Sequence, residues 1–288
     1  LARHLGKHLP GQPAVSVRNM PGGGGIVATN YLANIAPKDG TVILAAMQNI
    51  PTLQALGTAG VKFDAAAFGW IGSTSSSANA MAAWHAAGVK TIEDVKTKEL
   101  ILGIVLGNAS AYHASAMNII AGTKFKIVSG YPGGNELNLA LERGEISARS
   151  NSFAGWYSTR PDWITGKKIV FLAQVGAQRD PRHPDVPLLV DLASNDADRK
   201  VMAFISADTA ISRPYATTPG VPEARVALLR RAFDSMIADS AFKDDAARES
   251  IELSPASGEH VQRVVLEIVS APKDVVDRVQ KIIAATSK

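Results

Sequence analysis

Two spacings of apolar residues alternate along the first half of the chain. Runs such as 41–46 and 100–106 are apolar or β-branched without alternation, which is typical of strands buried on both faces. Between such runs, apolar residues recur three and four positions apart, as in helices that cover a sheet. The alternation predicts an α/β fold with mostly parallel sheets flanked by helices.

The predicted strands share a short apolar run between turn residues and lie at 13–17, 41–46, 68–71, 100–106, 125–128 and 146–149. The predicted helices lie at 1–9, 26–35, 91–96, 110–121 and 135–141. From Pro222 onward the pattern becomes helical throughout, with segments at 242–248, 258–269 and 274–285 after the first long helix.

The chain has 288 residues, which at about 150 residues per domain predicts two domains. The chain is expected to pass from the first domain to the second near 100–106 and to return near 201–214. The first lobe is therefore predicted to comprise residues 1–103 plus 207–288, and the second lobe residues 104–206. Two crossings between lobes are typical of a hinge.

Composition excludes several classes of protein. The 30 Lys and Arg residues only slightly outnumber the 26 Asp and Glu residues, and no basic cluster points to nucleic acid. No apolar run approaches the roughly 18 residues of a membrane span. The absence of Cys excludes disulfides, thiolate catalysis and zinc–cysteine sites, but it leaves the compartment open.

The most specific local feature is the segment NMPGGGG at 19–25, between a predicted strand and a predicted helix. Gly22, Gly23, Gly24 and Gly25 let backbone N–H groups approach an anion at the positive end of that helix. The alternative is a turn that needs glycine for geometry alone. No Gly-Lys-Ser/Thr follows, as a P-loop would require, and the nearest downstream acid, Asp39, lies in a turn.

Other predicted strand ends carry similar polar groups. Ligands in open α/β sheets collect at the carboxyl ends of strands, so these groups are expected to form one anion site, although each alone also fits a cap or turn. The candidates are Ser73, Thr74, Asn108, Ser110, Tyr131, Gly133, Gly134, Asn151 and Ser152. Arg18 and Arg149 lie beside these loops and are interpreted as surface or sheet-edge residues, with added charge at the site as the alternative.

No catalytic set is recognisable, and neither a metal site nor a cofactor is predicted. His4 and His8 have the spacing of two metal ligands, but Leu5 stands where a metalloprotease needs Glu, which favours a solvated helix face. One alternative to an anion site that only binds is an enzyme. It would act on a phosphorylated or carboxylated small metabolite and would use the 20–25 loop as an anion cradle. It requires a general base, and none is identifiable. A sensory or interaction module is a third alternative.

Several segments of the chain resemble those of one known family. The segments VRNMPGGGG (17–25) and APKDGT (36–41) resemble those of the tripartite tricarboxylate transporter receptors, the Bug-type periplasmic solute-binding proteins. The likeness continues in family order through YPGG (131–134), LERGE (141–145), GAQR (176–179), PDVP (184–187) and TTPGVP (217–222). It covers nearly the whole chain.

The resemblance implies a two-lobed periplasmic-binding-protein-like fold, with the first lobe built from both chain ends. It implies a non-enzymatic periplasmic receptor that captures a small organic carboxylate between the lobes, largely through backbone amides and water. The receptor would deliver this ligand to membrane transporter subunits. Family members begin with a further strand and glycine-rich loop, which this sequence is expected to lack.

Overall fold

The computed structural model describes residues 1–105 and 107–286, so Leu106, at the end of one predicted strand, lies outside the described residues. The strands are Ile43–Ala45 (β1), Gly69–Ser73 (β2), Asn79–Trp84 (β3), Leu100–Val105 (β4), Phe125–Tyr131 (β5), Ala148–Ser152 (β6), Ile169–Val175 (β7), Pro214–Thr217 (β8) and Ala256–Ser257 (β9). The α-helices are Ile26–Asn34 (α1), Ile50–Ala55 (α2), Ser110–Ala121 (α3), Gly134–Glu142 (α4), Phe153–Thr159 (α5), Pro161–Thr165 (α6), Asp196–Ser206 (α7), Glu223–Ala238 (α8), Ser240–Arg248 (α9), Gly258–Val269 (α10) and Lys273–Thr286 (α11).

The first compact unit comprises Leu1–Ser76 and Ala210–Ser270. Its sheet has the order β1-β8-β2-β9, and every neighbouring pair is antiparallel. The prediction of mostly parallel strands is wrong for this sheet, because β8 comes from the distant C-terminal part of the chain and inserts between β1 and β2. Leu229 and Phe233 of α8 pack on Ile71 of β2 to form the core.

The second unit comprises Ser77–Thr209 and the chain from Ala271 onward. Its sheet has the order β5-β4-β6-β3-β7. Strand β4 is parallel to both β5 and β6, whereas β3 is antiparallel to β6 and β7, so the parallel prediction holds for only part of this sheet. Trp156 and Trp163 are fully buried and belong, together with Leu137 and Leu141 of α4, to a hydrophobic core cluster of this unit.

The observed division differs from the predicted one. The first unit ends at Ser76 rather than at 103, because β3 pairs with β6 and β7 of the second sheet. The chain returns after Thr209, close to the predicted crossing at 206/207. A third crossing follows Ser270, because α11 packs against α3 and α7 of the second unit.

The predicted helix bounds agree best with the structure where the helical spacing of apolar residues continues over a long segment. Helices α3 and α10 have the predicted bounds, and α1 and α4 differ by one residue at an end or at each end. At the start of the chain, only a 3-10 turn at Leu5–His8 replaces the predicted helix 1–9. The predicted strand 13–17 is absent, because that segment pairs with no strand of the described chain.

Candidate functional site

The glycine loop of the first unit has an unusual backbone. Gly22, Gly23, Gly24 and Gly25 all have positive φ, at 133°, 56°, 63° and 96°. A Cβ on Gly22 would lie 2.8 Å from Val27 Cγ2, and one on Gly25 would lie 2.9 Å from Met47 Cγ. Glycine is therefore required here by backbone conformation and by close packing, whether or not the loop also binds an anion.

The same loop leads directly into α1 and leaves its N-terminus open. Gly25 is the N-cap residue, no side chain of the described residues caps the helix, and its first turn holds no acidic residue. Gly22 and Gly23 are exposed. Gly25 and Ile26 are half-buried, and their N–H groups donate to the Gly22 and Gly23 carbonyls in a 3-10 turn. A helix N-terminus without a side-chain acceptor carries partial positive charge, which favours a bound anion.

Ser73 and Thr74, also in the first unit, have a structural role. The Ser73 hydroxyl is fully buried, donates to the Ser75 carbonyl at 2.8 Å and accepts from the Arg213 N–H at 3.2 Å. Thr74 exchanges backbone hydrogen bonds with Arg213 and Ser254. These bonds fix the end of β2 and use the donor and acceptor of the Ser73 hydroxyl, so that group is not available to a ligand.

The remaining candidates all lie in the second unit. Asn108 Oδ1 accepts hydrogen bonds from the backbone N–H and the hydroxyl of Ser110, at 3.1 and 3.0 Å, and so caps the start of α3. Ser152 caps α5 by accepting from the Gly155 N–H at 3.0 Å. Both side chains fit the capping alternative that the sequence left open.

Asn151 and Ser152 are the last residues of β6 rather than part of a following loop. Asn151 packs against Gly155, where a Cβ would lie 2.6 Å from Asn151 Oδ1. The Ser152 backbone N–H donates to the same oxygen at 3.0 Å. Asn151 therefore supports the tight turn from β6 into α5.

Tyr131, Gly133 and Gly134 mark the junction of β5 and α4. Tyr131 is the last residue of β5 and packs on the core cluster of the second unit. Gly133 is the N-cap of α4 in an extended conformation, with no side-chain cap, and Gly134 is exposed. Glu136 is the one acidic residue in the first turn, and its Oε2 lies 3.0 Å from where a Gly133 Cβ would stand.

Arg149 lies beneath this helix end. Its interpretation as a surface or sheet-edge residue is wrong, because β6 is the middle strand of the sheet and the side chain points into the packed interior, leaving the residue only 4% exposed. Nη1 donates to the Gly134 carbonyl at 2.7 Å and to Asn138 Oδ1, and Nη2 is 3.5 Å from the Ser150 carbonyl. The guanidinium also stacks on Trp156, 5.0 Å from the ring centroid.

The positive charge of Arg149 has no carboxylate partner in the described part of the chain, and its Nε makes no hydrogen bond there. Burial, together with the nearby charge of Arg160, lowers the pKa of Arg149 from 12.5 to about 10. Arg160 stacks on Trp163 at 5.1 Å, and its buried Nε is likewise unpartnered. Arg18, in contrast, is exposed in the segment before the glycine loop.

The sequence interpretation considered Arg149 as an added charge but favoured a surface or sheet-edge position, and it did not consider Arg160. The available signal was an arginine inside a strand of otherwise small residues, followed by aromatic residues at positions 156 and 163. Neither feature alone distinguishes a buried cation from an exposed one, because the distinction depends on which face of β6 the helices cover.

His4 and His8 do not form a metal site. Their Nε2 atoms lie 2.9 Å from Asp245 Oδ2 and 3.2 Å from Asp239 Oδ2, respectively. His4 is buried, so the prediction of a solvated face is wrong for it. Among residues 1–105 and 107–286, no cluster of three or more His, Asp or Glu side chains is placed to hold a metal ion. No helix of those residues is long and apolar enough to cross a membrane.

Comparison with known proteins gives matches only at the level of structure. No protein-family model matches the chain, and no curated protein matches it in sequence. A TctC solute-binding protein from Polaromonas aligns with a TM-score of 0.68 and 22% identity over 99% of this chain and 91% of that chain.

Two further structures give the same result. A protein from R. palustris, solved with adipate, aligns with a TM-score of 0.70 and 17% identity over 98% of this chain and 90% of that chain. The periplasmic binding protein BugD aligns with a TM-score of 0.69 and 19% identity over 99% of this chain and 90% of that one. The chain therefore has the two-unit α/β fold of these periplasmic solute-binding proteins, which confirms the predicted fold class.

Proposed function

We propose that the chain is a receptor of the tripartite tricarboxylate transporter type that binds a small organic carboxylate and delivers it to a membrane transporter. The observation that carries this proposal is the fold. It is shared over at least 98% of the chain with solute-binding proteins, one of which was solved with the dicarboxylate adipate. Three kinds of group in the chain support the same ligand chemistry.

The first is the open N-terminus of α1, reached through four glycines with positive φ. Backbone N–H groups at such a position bind a carboxylate by hydrogen bonds and by the helix dipole, which contributes about 0.3–1 kcal/mol at an exposed site. The glycines keep side chains away from the approaching anion. This loop is the proposed contact from the first unit.

The second group is the junction between the end of β5 and the start of α4. The third is the buried cation of Arg149, which lies beneath this junction. Gly133 and Gly134 leave the helix end free of side-chain atoms other than the exposed Glu136 carboxylate. Charge-assisted hydrogen bonds contribute about 1.5–3 kcal/mol each, so a few of them explain binding of a carboxylate without a covalent step.

The proposed contacts are suited to binding an anion. They are backbone amides and the Arg149 cation, and the Glu136 carboxylate is the one acidic group in the first turn of α4 beside them. The periplasm is the proposed compartment, since BugD is a periplasmic binding protein, and transporter subunits are the proposed partners. The proposed binding partners of the chain are the small organic carboxylate and the transporter subunits, and the proposed binding requires no cofactor.

The test is a thermal-shift and calorimetric screen of acetate, succinate, malate, adipate and citrate, with adipamide as the neutral control for adipate. A ligand that binds only the folded state adds about 2.7 kcal/mol of stability at 100 times its dissociation constant. We expect at least one dicarboxylate to raise Tm by several degrees and adipamide to leave it unchanged. Silence across the acids would refute the receptor proposal.

Two glycine variants test the first contact. Gly25→Ala places a methyl group against Met47 at a φ of 96° and should weaken binding. Gly11→Ala is the matched control, since Gly11 has a φ of 75°, lies in the same unit and meets no atom within 4 Å. Equal affinity in both variants would remove the glycine loop from the site. Turnover of any panel acid, abolished by one His, Asp or Glu substitution, would favour the enzyme hypothesis.

A further inference from the structure

Arg149 is a buried charge for which residues 1–105 and 107–286 provide no counter-charge. It is 4% exposed, and all three of its hydrogen-bond partners are neutral oxygens, those of Gly134, Asn138 and Ser150. A buried charge is costly unless it is paired with an opposite charge. A side chain of this kind is retained more readily where an anion from outside the chain supplies the pairing.

The guanidinium still has donors to offer. It carries five N–H groups in a rigid fork. Nη1 makes two bonds, Nη2 makes one long contact at 3.5 Å, and Nε makes none within the described chain. Two N–H groups are thus left over, one on Nη2 and one on Nε. Nε is itself buried, so the donor nearest the exposed Gly134 is on Nη2.

Only glycine separates this cation from the exposed end of α4. A Cβ on Gly134 would lie 3.6 Å from Arg149 Nη2 and 3.8 Å from Nη1, so any side chain there would cover the guanidinium. Gly134 itself is exposed, and the helix end has no side-chain cap. The uncapped amides of α4 and the Arg149 charge therefore act on the same small region.

The neighbouring charges strengthen this positive field. Arg160, stacked on Trp163, acts on Arg149 as a like charge. Glu136 is the one carboxylate in the first turn of α4, and it makes no hydrogen bond or ion pair within the described residues. It reduces the field without neutralising the buried Arg149.

We propose that Arg149 sets the charge specificity of the receptor: an anionic carboxylate of the ligand, bound at the N-terminal end of α4, supplies the counter-charge that Arg149 lacks. This inference rests on the proposed receptor function and adds a residue that selects acids over their neutral amides. The backbone N–H groups of α4 alone would donate equally well to the oxygen of a neutral carbonyl group. The buried cation makes the ionised group the preferred one.

The first variant removes the charge and keeps the packing. In Arg149→Met combined with Asn138→Leu, both members of the Arg149–Asn138 hydrogen bond become apolar, which is close to neutral for stability and can be favourable for a buried charge. Without ligand, its urea midpoint should match or exceed that of the wild type. Its affinity for the dicarboxylates of the panel should fall about 10- to 100-fold, and its preference for adipate over adipamide should disappear.

The second variant covers the cation instead of removing it. In Gly134→Ala, the added methyl group makes an ordinary contact with the guanidinium, and alanine is a better helix former than glycine. This variant should be at least as stable as the wild type and still bind dicarboxylates several-fold more weakly. Arg143→Gln is the control, because Arg143 lies at the other end of α4 with its side chain 68% exposed.

Three results would overturn the inference. One is a double variant that binds the acids as tightly as the wild type. Another is a ligand-free double variant that is strongly destabilised while Gly134→Ala binds normally, which would make Arg149 a structural residue. A wild-type chain that binds no panel acid refutes the receptor function, and the inference with it, whereas an acid-binding wild type with unaffected variants refutes the inference alone.

Discussion

His113 should make the second unit sensitive to mild acid. This side chain lies on α3, is fully buried, and its Nε2 is 2.9 Å from the Ile205 carbonyl oxygen. Because a carbonyl only accepts, Nε2 carries the proton of the neutral ring, and Nδ1 has no partner within the described residues. A second proton would therefore enter a buried site at which no acceptor of the described residues lies within hydrogen-bond distance.

The expected magnitude follows from the pKa. Burial lowers the pKa of His113 from 6.5 to about 4. A lowered histidine pKa contributes stability that is complete above pH 6.5 and is lost as the pH falls toward 4. At about 1.36 kcal/mol per unit of pKa, the full loss is about 3 kcal/mol, and about 2 kcal/mol of it falls between pH 7.5 and 5.0.

Urea unfolding at pH 7.5, 6.5, 5.5 and 5.0 measures this loss. Three of the four tryptophans, Trp84, Trp156 and Trp163, belong to the second unit, so their fluorescence reports mainly on the part of the chain that contains His113. With a urea m-value of about 2 kcal/mol/M, the midpoint should fall by roughly 1 M across this range. Asp and Glu side chains contribute little above pH 5.

The matched variants isolate the residue. His113→Gln keeps an N–H donor for the Ile205 carbonyl and cannot titrate, so its midpoint should fall by much less. A smaller slope should remain from His183, whose pKa burial also lowers. His85→Gln, at an exposed position, should behave as the wild type. If His113→Gln showed the same pH slope as the wild type, the buried-imidazole reasoning would be wrong.

Three further predictions concern stability. Gly72→Ala would place Cβ 2.3–2.8 Å from ring atoms of Phe233, so we expect a loss of about 1–3 kcal/mol in urea unfolding, partly restored by Phe233→Leu. The pKa of Asp245 is lowered to about 2 by hydrogen bonds from His4 and Arg248, so its contribution is present above pH 4 and is lost as the pH falls to 2; acid titration of Asp245→Asn should show a flatter profile there. Ser152→Ala should lose about 1 kcal/mol by removing the α5 cap, and Ser152→Asp should retain it.

The parts of the fold that local pattern determines were predictable. Helix α10 repeats buried apolar residues at helical spacing, with Val261, Val265 and Ile268 almost fully buried, and its bounds were predicted from this spacing. Strand β3 was missed because its interior is rich in alanine, which has a low strand propensity, although Ala80, Ala82 and Ala83 are completely buried.

Strand direction and burial of charge were not predictable. Strand β8 begins at Pro214 and pairs with β1 and β2 across more than 140 positions, so nothing local indicates its antiparallel place between them. Arg149 stands next to Ser150 and Asn151 in the sequence, but the covering of its face of β6 by α4 and α5 decides that it is a buried cation. Asn108 and Ser152 show the converse, since their capping role is a short-range property.

The third crossing of the chain has a consequence for the order of folding during synthesis. The first unit has all its strands once the ribosome has passed residue 257, whereas the second unit still waits for α11. Val275, Val279 and Ile282 of that helix are buried in the complete chain. Until they emerge, the surfaces of α3 and α7 that they cover are exposed, so the unit that contains Arg149 is completed only after all strands of the first unit have been translated.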